Sequence, residues 1–152
     1  MNDGTIINLR IRDTAGQERF SAINENYYKK ADCCLLVYDI TSKDSFNRLK
    51  DYFIPKLKEN CKPNIKVVLL GNKTDKKDKR KVSEEEGINL ALKYGFNFME
   101  SSCKDDYNVS DAFTALVEMT NNEIQKTNNN VNINLNKKDY GNNQQKKANK
   151  CC

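Results

Sequence analysis

"IKVVLLGNKTD", residues 65–75, is an apolar run that passes through one glycine into a polar group. The run is short, continuous and rich in Val and Leu, a pattern typical of a strand buried on both faces of a parallel sheet. Ligands of such sheets bind beyond the carboxyl ends of the strands. The polar residues that follow this strand, Asn72, Lys73 and Asp75, are therefore candidates for ligand binding.

Three further stretches have strand patterns. "CCLLVYDI", residues 33–40, is a second continuous apolar run that suits a strand buried on both faces, and "FNFMES", residues 96–101, is a shorter candidate. "TIINLRIR", residues 5–12, alternates apolar and polar side chains directly after an Asp-Gly pair. That combination predicts the second arm of a β-hairpin.

Helical patterns separate these strands. Ser42, or Thr41 before it, can cap a helix in which Pro55 is expected to cause a break or kink. The stretch from Ser83 to Glu86 is a capping box that opens another helix, and Gly95 ends it. A third helical pattern runs from Val109 to about Ile124. Each helix has an apolar stripe: Phe46, Leu49, Phe53 and Leu57 in the first, Ile88, Ala91 and Leu92 in the second, and Phe113, Leu116 and Val117 in the third. Strands that alternate with helices predict an open α/β sheet with right-handed crossovers.

Composition excludes several classes of function. The chain has 152 residues, 38% of them hydrophobic and 31% charged, which is enough for one soluble domain and an extra segment. It contains no histidine, so mechanisms that need an imidazole are excluded. No apolar run is long enough to span a bilayer, and the first residues lack the pattern of a signal peptide, so an intracellular protein is expected. The six cysteines form no CxxC pair and are expected to be reduced thiols.

Positive charge is concentrated near the end of the chain. The segment from Asn121 onward contains six lysines and only two acidic residues, Glu123 and Asp139. Most of the formal net charge of +5 therefore belongs to this segment. The nearly neutral remainder argues against a nucleic-acid-binding domain. From about Thr127 the sequence is rich in Asn and Lys without periodicity, which predicts a disordered tail.

Three polar groups follow the predicted strands, in a chemically specific pattern. Residues 13–18, "DTAGQE", offer an Asp that can hold a hydrated Mg²⁺, a Gly whose backbone N–H can approach a phosphate, and a Gln that can orient a water molecule. The Asp75 carboxylate can accept two parallel hydrogen bonds from the ring N–H and amine of guanine, which adenine cannot donate. Residues 101–104, "SSCK", complete the set, and the stems of Lys73 and Lys104 can flank the plane of a base.

"DTAGQE", "NKTD" and "SCK" occur in the order found in the Ras superfamily of small GTPases, which this sequence resembles. "YYKKAD" and "LLVYDIT" are similar to segments of the Rab branch, and the terminal Cys-Cys is similar to the Rab prenylation signal. The resemblance covers about residues 4–126 and the last two. The domain organisation it implies is a partial GTPase domain over residues 1–126 and a hypervariable tail over residues 127–152.

The resemblance implies GTP or GDP and Mg²⁺ as ligands, and a role for each motif residue. Asp13 would hold Mg²⁺ through water, Gly16 would donate to the γ-phosphate, and Gln17 would orient the attacking water. The base would be bound by the residues of the second and third motifs: Asn72, Lys73, Asp75, Ser102, Cys103 and Lys104. Cys103 stands where the family has Ala, and its backbone N–H would face the guanine oxygen.

The implied cellular role is that of a membrane-trafficking switch. Cys151 and Cys152 would carry geranylgeranyl groups, and the protein would cycle between the cytosol and the cytoplasmic face of intracellular membranes. The implied partners are an exchange factor, a GTPase-activating protein, effectors, an escort protein and a dissociation inhibitor, with no nucleic acid among them.

One departure from the family pattern is large. None of the six glycines begins the phosphate-binding motif GxxxxGK[ST], and the threonine of the first switch is also missing. We therefore expect a P-loop NTPase-like, open and mostly parallel sheet with helices on both faces that lacks its first strand, P-loop and first helix. The family's sheet order resembles 2-3-1-4-5-6, so the missing strand would be the central one. Two hypotheses follow: a Rab-like GTPase without its N-terminal portion, or a nucleotide-blind Rab-like fragment or interaction module.

Overall fold

The computed structural model describes residues 6–13 and 28–122. The strands are β1 (Cys33–Asp39), β2 (Lys66–Asn72) and β3 (Asn97–Glu100). The α-helices are α1 (Lys43–Arg48), α2 (Ile54–Asn60), α3 (Glu84–Tyr94) and α4 (residues 109–122), and residues 28–30 are also helical. A π-helical turn, Leu49–Phe53, joins α1 to α2, and a 3-10 helix, Thr74–Lys79, follows β2.

The three strands form one parallel sheet in the order β1-β2-β3. Asp39 at the end of β1 pairs with Asn72 at the end of β2, and Gly71 pairs with Glu100 at the end of β3. Helices connect successive strands, as parallel pairing requires. The predicted α/β class with an open parallel sheet is therefore confirmed.

The main hydrophobic core lies on one face of this sheet. Leu36 and Tyr38 of β1 and Val67 and Leu69 of β2 point into it. The helices and the loop before α3 cover this face with buried residues: Phe46, Leu49, Ile54, Leu57, Val82, Leu90 and Ala91. These side chains come from both connections between the described strands, so each connection packs against the same face of the sheet.

The opposite face of the sheet is covered less evenly. Val68 and Leu70 of β2 are buried on this face, and Ala112 and Leu116 of α4 are buried outside the main core. Val37, on the same face of β1, is 46% exposed. The prediction of two buried faces is thus right for β2 and wrong for β1. In the described part of the chain, β1 lies at the edge of the sheet, and Val37 is left half-exposed on this side.

The stretch before Asp13 is not a strand. Residues 6–13 are irregular and exposed, with Ile6 at 89% and Ile11 at 65% exposure. The predicted hairpin arm is therefore wrong. A strand needs a hydrogen-bonded neighbour, and none of the described strands pairs with these residues, so their apolar alternation has no sheet to join.

The helix that begins after Ser42 continues past its proline. Ser42 caps α1 by accepting a hydrogen bond from the backbone N–H of Ser45, as predicted. The N–H of Ile54 donates to the carbonyl of Leu49, five residues earlier, which is the π-helical bond. Pro55 then lies in the first turn of α2, where a missing N–H is tolerated. Of the predicted break or kink, no break occurs; the α-helix is instead interrupted by the π-helical turn directly before Pro55.

The π-helical turn also changes which residue enters the core. The regular helical stripe predicted Phe53 as a core residue, but Phe53 is only partly buried. The next residue, Ile54, is fully buried in the core instead. One extra residue in the turn moves the apolar stripe forward by one position.

The capping signals of α3 are confirmed. Ser83 and Glu86 exchange the two hydrogen bonds of a capping box at its start. Gly95 ends the helix with φ +70°, a left-handed conformation that favours glycine. The fourth helix begins at residue 109, where the apolar periodicity placed it.

Candidate functional site

The candidate site lies along the edge where the carboxyl ends of the three strands meet. The backbone N–H of Ile40 donates to the carbonyl of Asn72 at 3.1 Å, which joins the segment after β1 to β2. The N–H of Thr74 donates to the carbonyl of Ser101 at 3.1 Å, which joins the segment after β2 to the one after β3. The second and third sequence motifs therefore meet at one edge of the sheet.

Asn72 organises the backbone around this edge through its side-chain oxygen. Oδ1 accepts hydrogen bonds from the backbone N–H of Lys73 at 2.7 Å and of Cys103 at 3.3 Å. The hydroxyl of Ser101 donates to the same oxygen at 3.5 Å. The Cys103 N–H, which the family resemblance assigns to a guanine oxygen, is thus directed toward Asn72 in this structure.

Asp75 is oriented by Ser102. The Ser102 hydroxyl donates to Oδ1 of Asp75 at 3.0 Å and accepts from the backbone N–H of Asp105 at 3.1 Å. Ser102 is 1% exposed, and its backbone exchanges two hydrogen bonds with Tyr107, at 3.1 and 2.9 Å. Within residues 6–13 and 28–122, Oδ2 of Asp75 accepts no hydrogen bond.

The loop that carries Ser102 is held in a specific shape. Asp106 and Asn108 have φ values of 52° and 56°, in the left-handed region. The Asn108 side chain donates to the carbonyl of Glu100 at 2.9 Å, which closes the loop onto β3. The carboxylate of Glu100 in turn accepts two hydrogen bonds from Arg80, at 2.6 and 2.8 Å. This bidentate pair ties the end of β3 to the segment that follows the 3-10 helix.

Lys73 and Asp39 form an ion pair across the same edge. The Lys73 ammonium donates to Oδ2 of Asp39 at 2.7 Å, and Oδ1 of Asp39 accepts from both the N–H and the hydroxyl of Thr41, at 2.8 and 2.7 Å. Burial opposes ionisation of Asp39, but the hydrogen bonds from Lys73 and Thr41 outweigh it and hold the pKa of this carboxyl below its usual range. The same pair raises the pKa of Lys73.

Sequence reasoning did not select Asp39 and Thr41 as site residues. The signal that could have found them is the one that found Asn72, a polar residue at the carboxyl end of an apolar strand. Lys104, the second predicted flank of a base, is exposed.

Of the remaining predicted site residues, the structure describes only Asp13, which is not brought to this edge. Asp13 is exposed and forms no hydrogen bond with the edge residues in the described part of the chain. Within the same residues no three His, Cys, Asp or Glu side chains are grouped as metal ligands. Gly16, Gln17, Cys151 and Cys152 lie outside the described residues. None of the described helices is long and apolar enough to cross a membrane.

Comparison with known proteins gives one consistent family. The family model described as "Ras family" matches residues 1–122. The chain is 47% identical over 114 residues to the Ras-related protein Rab-8A of Bos taurus, covering 75% of this chain and 55% of that protein. It is 46% identical to Rab-8B of Bos taurus and 45% identical to Rab-8A of Gallus gallus over the same length and the same shares. The chain spans about half the length of the curated relatives it matches.

Proposed function

The chain belongs to the Ras family, among its Rab-type small GTPases, and on this premise we propose that it binds a guanine nucleotide and serves as a GTP-hydrolysing switch in membrane trafficking. One observation carries the proposal: the segments after β2 and β3 are joined by two hydrogen bonds, from the Cys103 backbone N–H to Oδ1 of Asn72 and from the Ser102 hydroxyl to Oδ1 of Asp75. Sequence motifs about 30 residues apart thereby place the carboxylate of Asp75 and the amide of Asn72 on a single edge.

The chemistry of this edge suits guanine better than other bases. The Asp75 carboxylate can accept hydrogen bonds from two neighbouring N–H groups, and guanine presents such a pair on its ring nitrogen and exocyclic amine. Adenine presents no equivalent pair, and a buried or partly buried polar group left without its partner lowers affinity. The ammonium of Lys73 is bound to Asp39 after β1, and the stem of Lys73 would provide apolar surface for one face of the base.

Hydrolysis would depend on the first motif. Gly16 would donate its backbone N–H to the γ-phosphate, Gln17 would orient the attacking water, and Asp13 would hold Mg²⁺ through water. The bound metal would neutralise charge that develops on the phosphate oxygens. Because the sequence contains no GxxxxGK[ST], we expect this chain by itself to bind GTP too weakly for detection at micromolar concentrations.

The base-reading role of Asp75 is testable with a substitution that reverses one hydrogen-bond direction. Asp75→Asn places a donor where the carboxylate accepts, so preference should shift from guanosine monophosphate to xanthosine monophosphate. NMR titration of the ¹⁵N-labelled chain with millimolar GMP, XMP and AMP measures it. Asp78→Asn, a neighbouring exposed carboxylate in the same 3-10 helix, is the matched control and should keep the preference for GMP. Unchanged preference for GMP in Asp75→Asn would remove Asp75 from base recognition.

Membrane attachment is the second part of the proposal. Two prenyl groups on Cys151 and Cys152 give stable attachment, whereas one chain gives only marginal binding. Exchange factors, GTPase-activating proteins, effectors, an escort protein and a dissociation inhibitor would act on the prenylated protein. In cells, the variant Cys151→Ser with Cys152→Ser should move from the membrane fraction to the cytosolic fraction. Asn142→Ser with Asn143→Ser is the control in the same segment, and equal membrane retention of both variants would contradict the anchor.

A nucleotide-independent interaction module is the alternative function. It is favoured by the outer edge of β1, which pairs with no strand in the described part of the chain, and by the missing phosphate-binding motif. The GMP titration separates the two functions. Chemical-shift changes confined to residues 72–75 and 102–104, larger for GMP than for AMP, support the guanine site, and their absence supports the module.

A further inference from the structure

Asp39 and Lys73 connect two neighbouring strand ends at the candidate site. Asp39 is the last residue of β1 and pairs in register with Asn72, so Lys73 extends from the end of β2 toward β1. The bond between the Lys73 ammonium and Oδ2 of Asp39 is 2.7 Å long. Asp75, the candidate base-reading residue, is hydrogen-bonded in the opposite direction, to Ser102 after β3. Lys73 and Asp75 are therefore held on the two sides of Asn72.

The Asp39 carboxylate is fixed more firmly than an ordinary surface acid. Thr41 donates two hydrogen bonds to its Oδ1, and the backbone N–H of Asp39 donates to the hydroxyl of Ser45 at 3.0 Å. Ser45 belongs to the first turn of α1, which Ser42 caps. The acid is thus attached to the start of a helix as well as to the end of a strand, in addition to its bond with Lys73.

Lys73 is fixed at both ends. Its backbone has φ 72° and ψ 39°, a left-handed conformation that is uncommon for a residue with a side chain, and its N–H donates to Asn72. Its ammonium is bound to Asp39. The four-carbon stem between these points consequently crosses the edge of the sheet in one direction, although the side chain is 46% exposed.

We propose that Asp39 is a positioning residue of the guanine site: it holds the Lys73 ammonium on the β1 side so that the lysine stem packs against one face of the base, whose edge the Asp75 carboxylate binds. This inference rests on the proposed function and deepens it. A free lysine side chain samples many rotamers and must be ordered when the base binds, and pre-ordering it removes that cost from binding.

The first test measures GMP affinity by NMR titration of the full chain at constant pH. Asp39→Asn keeps an acceptor for Thr41 but removes the charge that holds Lys73, and it should weaken GMP binding about two- to fivefold, the range of an exposed ion pair. Asp32→Asn is the matched control, since Asp32 forms a 2.7 Å ion pair with Lys62 just before β1, at the opposite end of that strand. The control should leave GMP affinity unchanged. Equal affinity of Asp39→Asn and the wild-type chain would overturn the inference.

The second test asks whether Asp39 acts through Lys73. Lys73→Met keeps the stem and removes the ammonium, so in this background Asp39→Asn should cause no further loss of GMP affinity. The ¹³Cε and ¹Hε resonances of Lys73 should also shift in Asp39→Asn before any nucleotide is added, and they should not shift in Asp32→Asn. A loss of the same size in both backgrounds would contradict positioning through Lys73. Absence of GMP binding by the wild-type chain would overturn the proposed function together with this inference, whereas binding that is insensitive to Asp39 would overturn the inference alone.

Discussion

The hydroxyl oxygen of Tyr38 lies 2.6 Å from the point that a Cβ atom on Gly87 would occupy. The same oxygen is 2.9 Å from the corresponding point on Gly71. A strand and a helix, β2 and α3, thus contribute one glycine each to the space around one hydroxyl group. This hydroxyl is buried and has no hydrogen-bond partner in the described part of the chain. Burial, with a further contribution from the charge of Glu100, raises the pKa of Tyr38.

Tyr38→Phe should stabilise the fold by about 1 kcal/mol, because it removes a buried polar group that has no partner. The ring contact with Phe46, at 4.9 Å between centroids, needs no hydroxyl and should persist. Urea unfolding monitored by circular dichroism measures the change, with the slope m expected to stay the same. Tyr107→Phe, at a 55% exposed tyrosine, is the control and should change little. A clear loss of stability in Tyr38→Phe would mean that the hydroxyl has a partner such as a bound water.

Gly87→Ala should destabilise the protein even though alanine favours helices. Its Cβ would lie 2.7 Å from Cζ of Phe98 as well as against the Tyr38 hydroxyl. Overpacking of this kind costs about 1–3 kcal/mol, more than the roughly 1 kcal/mol gained from helix propensity. Adding Tyr38→Phe should recover part of the loss. The same urea experiment tests both variants, and a Gly87→Ala protein more stable than the wild type would show that α3 can move away from the sheet.

The sequence predicted correctly those features that depend only on neighbouring residues, such as the two ends of a helix. The capping box of Ser83 and the glycine end of α3 depend on neighbouring residues only, and both were predicted correctly. The strand pattern of residues 5–12 was misleading because a strand also needs a partner, which apolar alternation does not specify. The exposure of Val37 was missed for the same reason, since burial on the second face depends on which helix lies there.

In the candidate site, too, features set by the local sequence were predicted, and those that depend on the arrangement of the strands were not. The rule that binding residues follow strand ends selected Asn72, Asp75 and Ser102, and the structure brings all three to one edge. The pairing of Lys73 with Asp39 was not predicted, because it depends on β1 being the neighbour of β2, and strand order is a property of the whole fold.

Glu100→Gln should destabilise the protein by about 1–2 kcal/mol, because it leaves a partly buried guanidinium without its charged partner. Arg80 and Glu100 are 24% and 13% exposed and are joined by two short hydrogen bonds. Glu59→Gln is the control, since its ion pair with Lys56 is long, at 3.4 Å, and more exposed. Thermal unfolding of both variants measures the difference. Equal melting temperatures would mean that the Arg80 pair contributes no more than a surface ion pair.

Acid should unfold the wild-type chain more steeply than Asp39→Asn. The folded pKa of Asp39 lies below its unfolded value of about 3.9, so its contribution to stability is present above that pH and is lost as the pH falls through the folded pKa. Asparagine does not titrate, so its variant should be less stable near neutral pH by less than about 1 kcal/mol and should lose less below about pH 4. Urea unfolding at a series of pH values tests this. Parallel pH profiles of the two proteins would contradict a depressed pKa at Asp39.

The π-helical turn at Leu49–Phe53 contains one residue more than an α-helical turn, so the effect of inserting or deleting a residue between α1 and α2 depends on this turn. A single-residue deletion in an exposed helix usually rotates everything that follows by about 100°. Here, deleting the exposed Lys50 would instead convert the five-residue hydrogen-bonded turn into a four-residue one and allow the following turn to keep its orientation. The chain therefore contains a position at which a deletion is expected to be milder than an insertion, and a library of one-residue indels across residues 43–60 should show that asymmetry at residues 49–53 alone within this span.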